Sequence, residues 1–355
     1  MGWQEILSSA PRADERNDVE YFEVESRRVL NPARLPWLPF DLTLNPYLQC
    51  ELGCAYCYAR EHADRRARGA GGPDRGAFDR RIYAKTGAPA VLRDELARLS
   101  RLGGLGGKEI ALGTATDPYQ PYERRARLTR ALLEVFATVE DVRLSITTKS
   151  DLVLRDLDVL QAIGRKGHVQ VNVTITTVDR DLARSLEPRA PTPARRLRAV
   201  EGLARAGVPV GVFCMPVLPE LTEAPRDLRA IVCAAREAGA AWFAANVLFL
   251  RGEAVRAAFF AWLEGAFPAL VPRYRRLYQG PSAPEAITDR VTRVVEALRR
   301  QYGLPAHVPW PAPRAGPRQL SLFEAAPTVE PLAPAERRPG RALPVLSRDP
   351  RAASA

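Results

Sequence analysis

The pattern that most constrains this chain is a repeated alternation of short β-branched segments with longer helical ones. The segments typical of strands span residues 40–44, 108–114, 142–148, 169–176, 208–215 and 240–249. The stretches between them have apolar residues at helical spacing and end near basic residues or glycine, as in "ARAGVP" and "AREAGA". Strands separated by helices of this length form parallel βαβ units. Six such strands predict an α/β fold and favour a partial (β/α)6 TIM-like barrel over an open doubly wound sheet, two folds that spacing alone barely separates.

The segments outside this core have different compositions. Residues 1–39 are polar and then rich in proline, which predicts an irregular lead-in before a barrel at 40–265. Residues 266–304 contain further helical periodicity and are expected to form C-terminal helices. Residues 305–355 are a Pro/Ala/Arg tract without periodicity, which predicts a disordered tail.

The apolar content and the charge of the chain indicate its expected cellular location and the kind of partner it would attract. The start lacks the apolar core of a signal peptide, and no apolar stretch is long enough to span a bilayer, so we expect a cytoplasmic protein in a reducing compartment. The formal net charge of +11 would attract a polyanion such as DNA. With 52 Lys+Arg but only four lysines, the charge equally reflects an arginine-rich composition.

Three of the five cysteines lie in the short stretch "NPYLQCELGCAYCYAR", directly after the first predicted strand. They are Cys50, Cys54 and Cys57. Three thiolates at this spacing can bind three irons of a cubane iron–sulfur cluster and leave the fourth iron open. Zinc is the main alternative, but a structural zinc site needs four ligands and only His62 is near in sequence. A third interpretation is that the cysteines pack as small apolar residues.

The stretch "CELGCAYC" resembles the CxxxCxΦC signature of the radical S-adenosylmethionine enzymes, with Tyr56 as the aromatic residue. The resemblance implies a [4Fe–4S] cluster on the three cysteines and S-adenosyl-L-methionine on the open iron. It further implies a 5′-deoxyadenosyl radical, a partial (β/α)6 barrel, and reduction by a flavodoxin or ferredoxin. From about residue 20 to 265 the chain looks like the spore-photoproduct-lyase-like branch, with "FDRRIYAK", "IALGTATDPYQPYE", "TTKSDLVLRDLDVL", "SLEPRAPTPARRL" and "PVLPEL" as landmarks.

Two strand ends carry candidate cofactor ligands. In "GTATD", the polar side chains of Thr114, Thr116 and Asp117 either bind the methionine ammonium or the ribose, or cap a turn. Lys149 follows the third strand, where the family places a lysine, and either meets the cofactor carboxylate or lies in solvent.

The fourth strand and the loop after it supply further candidates. Strand alternation places on one face the side chains of Asn172, Thr174 and Thr176. This polar face either lines a barrel interior around the cofactor or is the solvated face of an edge strand. The family pattern suggests that the loop with Glu187 closes over the cofactor. The alternative is that Arg189, Arg195 and Arg196 form an exposed helix face or a phosphate-binding patch.

Tyr56 and Tyr58 flank Cys57. In spore photoproduct lyase the matching tyrosines lie near the adenosyl group and one is implicated in hydrogen-atom relay, which implies cofactor contact for Tyr56 and a catalytic role for Tyr58. That enzyme also has a donor cysteine in the stretch aligned with "GTATD", where this chain has Thr114. Photoproduct reversal itself is therefore in doubt. Cys214 either replaces that donor or packs in the core, which is the favoured interpretation.

The tail contains a short apolar motif, "QLSLF", formed by Gln319, Leu320, Ser321, Leu322 and Phe323. It matches the consensus with which bacterial repair proteins bind the sliding clamp, and it points to either clamp docking or a latch onto this chain's own barrel. The leading hypothesis is a radical enzyme that abstracts hydrogen from a DNA base or lesion. The alternatives are a radical oxidoreductase for a protein or small metabolite, and a non-catalytic metal-stabilised nucleic-acid-binding protein.

Overall fold

The computed structural model describes residues 10–16, 18–33, 38–68, 77–101, 105 and 107–310. The strands are Arg12–Arg16 (β1), Val19–Glu23 (β2), Asn31–Pro32 (β3), Leu42–Leu44 (β4), Tyr47–Leu48 (β5), Arg81–Ala84 (β6), Glu109–Leu112 (β7), Arg143–Thr148 (β8), His168–Thr174 (β9), Val210–Val217 (β10) and Trp242–Val247 (β11). The helices are Ala59–Arg68, Ala88–Arg101, Glu123–Ala126, Leu128–Phe136, Leu157–Lys166, Arg180–Leu186, Pro193–Arg205, Pro225–Glu237, Glu253–Ala266, Val271–Leu277 and Glu285–Tyr302, with 3₁₀ helices at Asp151–Asp156 and Pro268–Leu270.

Six parallel strands form the main sheet in chain order. β4, β7, β8, β9, β10 and β11 are successive neighbours, and the short β3 pairs antiparallel with β4 at one edge. These are the six strands that the alternation predicts. Within the described residues, β3 and β11 are the edges of this sheet, so it does not close on itself. The mixed α/β fold with a partial barrel agrees with the prediction.

The two faces of this sheet have different chemistry. The outward face is apolar and fully buried, and it includes Ile110, Leu112, Leu144, Ile146, Val171, Val173 and Val212. On the inward face, Trp242 Nε1 donates to Asn172 Oδ1 at 3.0 Å, and Asn172 Nδ2 donates to Ser145 Oγ at 3.1 Å. Gly211 also faces inward, because a Cβ there would lie 2.1 Å from the Trp242 ring. Since side chains alternate along β10, Cys214 faces outward into the helix layer.

A second, smaller sheet has the strand order β1-β2-β6-β5. β1 and β2 are antiparallel, β2 runs parallel to β6, and β6 is antiparallel to β5. The expected irregular lead-in at 1–39 is therefore wrong for 12–16 and 19–23. "VEYFE" does alternate, with Val19 and Tyr21 buried, but its partner in β6 lies far along the chain, so no local pattern shows the pairing.

The C-terminal helices pack on the main unit. Tyr274 and Tyr278 are fully buried, with ring centroids 5.8 Å apart. The last helix ends at Tyr302 and is capped by Gly303, whose φ is +64°. The described residues belong to one compact unit with bounds 1–313, so neither flank is separate from the barrel. The tail motif at 319–323 lies outside the described residues. None of the helices in the described part of the chain has the length and apolar character that crossing a membrane requires.

Candidate functional site

The three clustered cysteines lie on the loop between β5 and the helix Ala59–Arg68. Cys50 and Cys54 are buried and Cys57 is half-buried, next to Phe78. The loop folds tightly through Gly53, whose φ is +70° and whose Cβ, if present, would lie 3.2 Å from an Asp79 oxygen. Burial is the main cause that raises the pKa of Cys54 to about 12, while the nearby Lys149 ammonium acts in the opposite direction.

Buried polar contacts hold this loop in place. The Glu51 carboxylate accepts hydrogen bonds from Tyr21 Oη at 2.8 Å and from the Tyr122 backbone N–H at 2.5 Å. The backbone N–H of Glu51 donates to Gln120 Oε1 at 2.9 Å, and Arg189 donates to the Glu51 carbonyl at 3.2 Å. Sequence reasoning missed Glu51 as a positioning residue, because its partners come from three separate segments of the chain.

The positions of the three cysteine thiols distinguish a single zinc ion from an iron–sulfur cluster. Within the described residues, no three His, Cys, Asp or Glu side chains converge tightly enough to hold a single metal ion. His62, the expected fourth zinc ligand, is exposed, and its ring meets the edge of Tyr58 with centroids 6.2 Å apart. A cubane cluster binds each thiolate to a different iron, so the three thiols of the loop need not meet at a single atom as the ligands of one zinc ion must. The donor set fits the cluster and not the zinc alternative.

The "GTATD" loop follows β7 and is shaped by Asn45, which sequence reasoning also missed. Asn45 Oδ1 accepts from the Ala115 N–H at 2.8 Å, and its Nδ2 donates to Thr114 Oγ1 at 3.1 Å. Thr116 is buried, and within the described residues its hydroxyl oxygen has no hydrogen-bond partner. A buried hydroxyl without a partner is costly, which favours an additional polar group at this point.

Asp117 connects this loop to the end of β8. Its Oδ1 accepts from Thr148 Oγ1 at 2.7 Å and from the Tyr119 N–H at 2.9 Å, and its Oδ2 accepts from the Lys149 N–H at 2.7 Å. Both carboxylate oxygens are thus engaged by protein groups. These contacts make Asp117 a positioning residue between the two loops, and its expected cofactor contact stays a prediction.

Lys149, Tyr56, Glu187 and Arg196 form a charged group beside the cysteines. Lys149 Nζ lies 5.6 Å from the Tyr56 ring centroid, and the Tyr56 hydroxyl donates to Glu187. Arg196 donates to the second Glu187 oxygen and is only 1% exposed, so the expectation of an exposed helix face is wrong for it. Burial would raise the pKa of Glu187, but Arg196 and Lys149 hold it below its ordinary value. The Glu187 carboxylate is therefore charged at neutral pH.

Tyr58 lies at the rim of the site. Its side chain is 51% exposed, and its hydroxyl donates to the backbone carbonyl of Thr114. Tyr58 thus connects the cysteine loop to the "GTATD" loop, at a place that a bound substrate can reach.

The polar face of β9 divides into two parts. Asn172 bonds Ser145 and Trp242 with its amide, which ties it to neighbouring strands, and its expected cofactor contact stays a prediction. Thr174 and Thr176 are buried nearer the carboxyl end, where the Thr176 hydroxyl donates to Glu187 at 3.4 Å. Cys214 is fully buried on the outward face, where burial raises its pKa to about 12. This agrees with a packing role for Cys214.

The model of the Radical SAM superfamily matches residues 44–230, more than half of the chain. The chain belongs to the radical SAM superfamily. Radical SAM proteins use a [4Fe–4S] cluster and S-adenosylmethionine, and this chain is accordingly a radical SAM enzyme. The three thiols of one loop, the Thr116 hydroxyl without a partner and the Lys149 ammonium fit these two groups. The assignment of individual residues to cluster and cofactor stays a prediction.

Relatives extend the similarity beyond the matched domain. An uncharacterised protein of Mycobacterium tuberculosis (strain ATCC 25618 / H37Rv) is 35% identical over 332 residues, 91% of this chain and 94% of the relative. An uncharacterised protein of Methanocaldococcus jannaschii is 28% identical over 205 residues, 58% of this chain and 70% of the relative.

Solved structures show the same fold. Spore photoproduct lyase complexed with dinucleoside spore photoproduct has a TM-score of 0.58 at 13% identity, covering 79% of each chain. A variant of that enzyme with bound AdoMet and dinucleoside spore photoproduct has a TM-score of 0.57 at 13% identity, covering 78% of this chain and 77% of the other. At this identity the likeness is one of fold.

Proposed function

We propose that this radical SAM enzyme abstracts a hydrogen atom from a nucleic-acid base or base lesion. The observation that carries the proposal is an accessible apolar surface beside the candidate cofactor residues. Phe213 and Met215 on the inward face of β10 are half-buried, Asn246 on β11 is exposed, and Phe249 just beyond β11 is 44% exposed. Apolar and amide groups of this kind suit a flat base with polar edges. The net charge of +11 and the fold shared with a lyase that binds a dinucleoside lesion further support it.

The residues divide into roles by position. The cluster and S-adenosylmethionine, when bound, supply the 5′-deoxyadenosyl radical that removes hydrogen from the substrate. Cys50, Cys54 and Cys57 would hold the cluster, and Thr116 and Lys149 would bind the amino-acid part of the cofactor. The other candidates near the cofactor are Tyr56, Thr114, Thr174 and Glu187. Tyr58, exposed at the rim, would contact the substrate.

The proposed reaction differs from spore photoproduct reversal at the hydrogen-donor step. Thr114 stands where the lyase has its donor cysteine, and its hydroxyl already accepts from Asn45. Cys214 is directed away from the inward face by strand alternation, so it does not replace that thiol. The proposed DNA-repair or lyase reaction therefore includes hydrogen abstraction from the substrate. It does not include the return of a hydrogen atom from a cysteine thiol.

Isotope transfer tests the proposal. The anaerobically reconstituted and reduced enzyme is given S-adenosylmethionine and an oligonucleotide deuterated on its bases, and 5′-deoxyadenosine is measured by mass spectrometry. We expect deuterium in 5′-deoxyadenosine with wild type and with Cys233→Ala, a cysteine outside the loop, and no cleavage with Cys54→Ala. Cleavage without deuterium from undamaged or ultraviolet-damaged DNA would reject the nucleic-acid substrate and leave the radical chemistry standing.

Two partner predictions and the cytoplasmic location remain proposals. A flavodoxin or ferredoxin is expected to reduce the cluster. Docking on the sliding clamp would use residues 319–323. A peptide of this segment should bind purified clamp, and replacing Leu322 and Phe323 with alanine should abolish that binding. Binding only to this enzyme's own barrel would favour the latch instead.

A further inference from the structure

A small basic cavity lies directly beside the cysteine loop. It has a volume of about 160 Å³ and reaches Leu52, which stands between Cys50 and Cys54. Four arginines contribute to its wall: Arg124, Arg184, Arg189 and Arg195. Three of them lie on three different helices and Arg189 lies on the loop between two of these helices, and the fold brings all four to one place. Two of these four, Arg189 and Arg195, belong to the phosphate-binding patch that the sequence offered as an alternative.

The positive charge of the cavity is only partly neutralised. No aspartate or glutamate lines it. Arg195 forms two hydrogen bonds with Asp151 at 2.8 and 2.9 Å, and Arg189 lies 3.8 Å from an Asp79 oxygen. Arg184 donates to a backbone carbonyl, which carries no formal charge. Arg124 is exposed and makes no ion pair or hydrogen bond through its side chain to another described residue. At least two guanidinium charges remain without a carboxylate.

Neutral donors complete the wall. The hydroxyls of Ser150 and Thr192 line the cavity, and Thr192 precedes the 13-residue helix Pro193–Arg205 without capping it through its side chain. The first turn of that helix thus adds the positive end of a helix dipole to the arginines. Guanidinium groups and hydroxyls around a concave space of this size fit a single tetrahedral anion better than the broad surface of a protein.

We propose that this four-arginine cavity binds a backbone phosphate of the substrate nucleic acid and so fixes the strand beside the cysteine loop. The inference rests on the proposed nucleic-acid substrate. It adds a phosphate contact, outside the barrel interior, to the base contacts proposed above. Phosphate contacts set the register of a strand without reading its sequence, which matches an enzyme that must present one base to a fixed radical.

Salt-dependent binding tests the cavity. The cavity variant, Arg124→Gln/Arg184→Gln, removes the two arginines that have no carboxylate partner. The control variant, Arg205→Gln/Arg236→Gln, removes two exposed charges at the carboxyl ends of two helices, at the opposite end of the barrel. The affinity of each reconstituted protein for a fluorescent single-stranded oligonucleotide is measured by anisotropy across a salt series. A phosphate contact contributes about −0.7 to the slope of log K against log salt for single strands. We expect the slope of the cavity variant to be smaller in magnitude by about 0.7, the contribution of one phosphate. The slope of the control variant should match wild type.

The outcomes separate the two proposals. Equal slopes for the cavity and control variants, with wild type binding the oligonucleotide, would overturn the cavity and leave the DNA substrate intact. If wild type binds no oligonucleotide but inorganic phosphate raises its Tm, and the cavity variant loses that rise, the cavity takes a free phosphate and the nucleic-acid assignment is wrong. If the cavity variant binds DNA normally but is reduced more slowly by flavodoxin, the surface serves the electron donor and the inference fails.

Discussion

Replacing Glu187 with glutamine tests whether the buried charged group holds the site together. Glu187 and Arg196 have side chains 0% and 1% exposed and are paired directly. Glutamine keeps the volume but removes the charge, so the Arg196 guanidinium stays buried without a counter-ion and still faces Lys149. Breaking a buried pair from one side costs about 3–5 kcal/mol. We expect Glu187→Gln to lower the free energy of unfolding by about that amount.

The partner variant should cost less. In Arg196→Met, Glu187 keeps Lys149 as a neighbouring positive charge and keeps the hydrogen bonds from Tyr56 and Thr176. The double variant leaves no unpaired charge between positions 187 and 196, so it should be more stable than Glu187→Gln alone. Paired removal of a buried ion pair is often nearly neutral, whereas one-sided removal is not.

Urea denaturation of the cluster-free proteins measures these effects without interference from the cofactor. An exposed pair supplies the control: Glu201→Gln breaks its contact with Arg205, which is 78% exposed, and should cost less than about 1 kcal/mol. The reasoning is refuted if Glu187→Gln also costs less than about 1 kcal/mol, or if the two single changes add to the double within about 0.5 kcal/mol. An unchanged m-value would show that the denatured state is not the cause.

Three further changes have expected outcomes. Gly113→Ala introduces a side chain at φ +91°, with its Cβ 2.6 Å from a backbone carbonyl oxygen. Urea denaturation should show a free energy of unfolding lower by about 1–3 kcal/mol, and S-adenosylmethionine binding should weaken. Unchanged values of both would contradict this backbone constraint. Trp242→Phe leaves Asn172 Oδ1 buried without its donor. The free energy of unfolding should fall by about 1–3 kcal/mol, and S-adenosylmethionine cleavage should be retained. Loss of cleavage would instead favour Asn172 as a cofactor ligand. The hydrogen bond from Arg130 lowers the pKa of Asp158 to about 2, so its stabilisation is present above the unfolded pKa of about 3.9 and is lost as the pH falls toward the folded value. The Tm difference between wild type and Asp158→Asn should therefore shrink between about pH 6 and about pH 3, and a constant difference would refute the linkage.

Local sequence patterns were sufficient for the main sheet and the cysteine loop. Each parallel strand is a short β-branched segment bounded by helical periodicity, so both its type and its place follow from neighbouring residues. The three cysteines share one loop, and their spacing alone indicates a cluster. The candidate residues at 114, 116 and 149 also lie where strands end, and parallel topology brings the strand ends together.

The remaining features depend on partners that are distant in sequence. β2 forms its sheet with β6, and Asn172 is satisfied by Trp242, so neither outcome follows from nearby residues. Arg196 has the same helical spacing as exposed arginines, and only its pairing with Glu187 makes burial tolerable. Sequence determined which elements form and which chemistry they carry, because propensity and spacing act locally. Tertiary structure decided which polar groups face the site and which face each other, because a buried charge or amide takes its role from its partner.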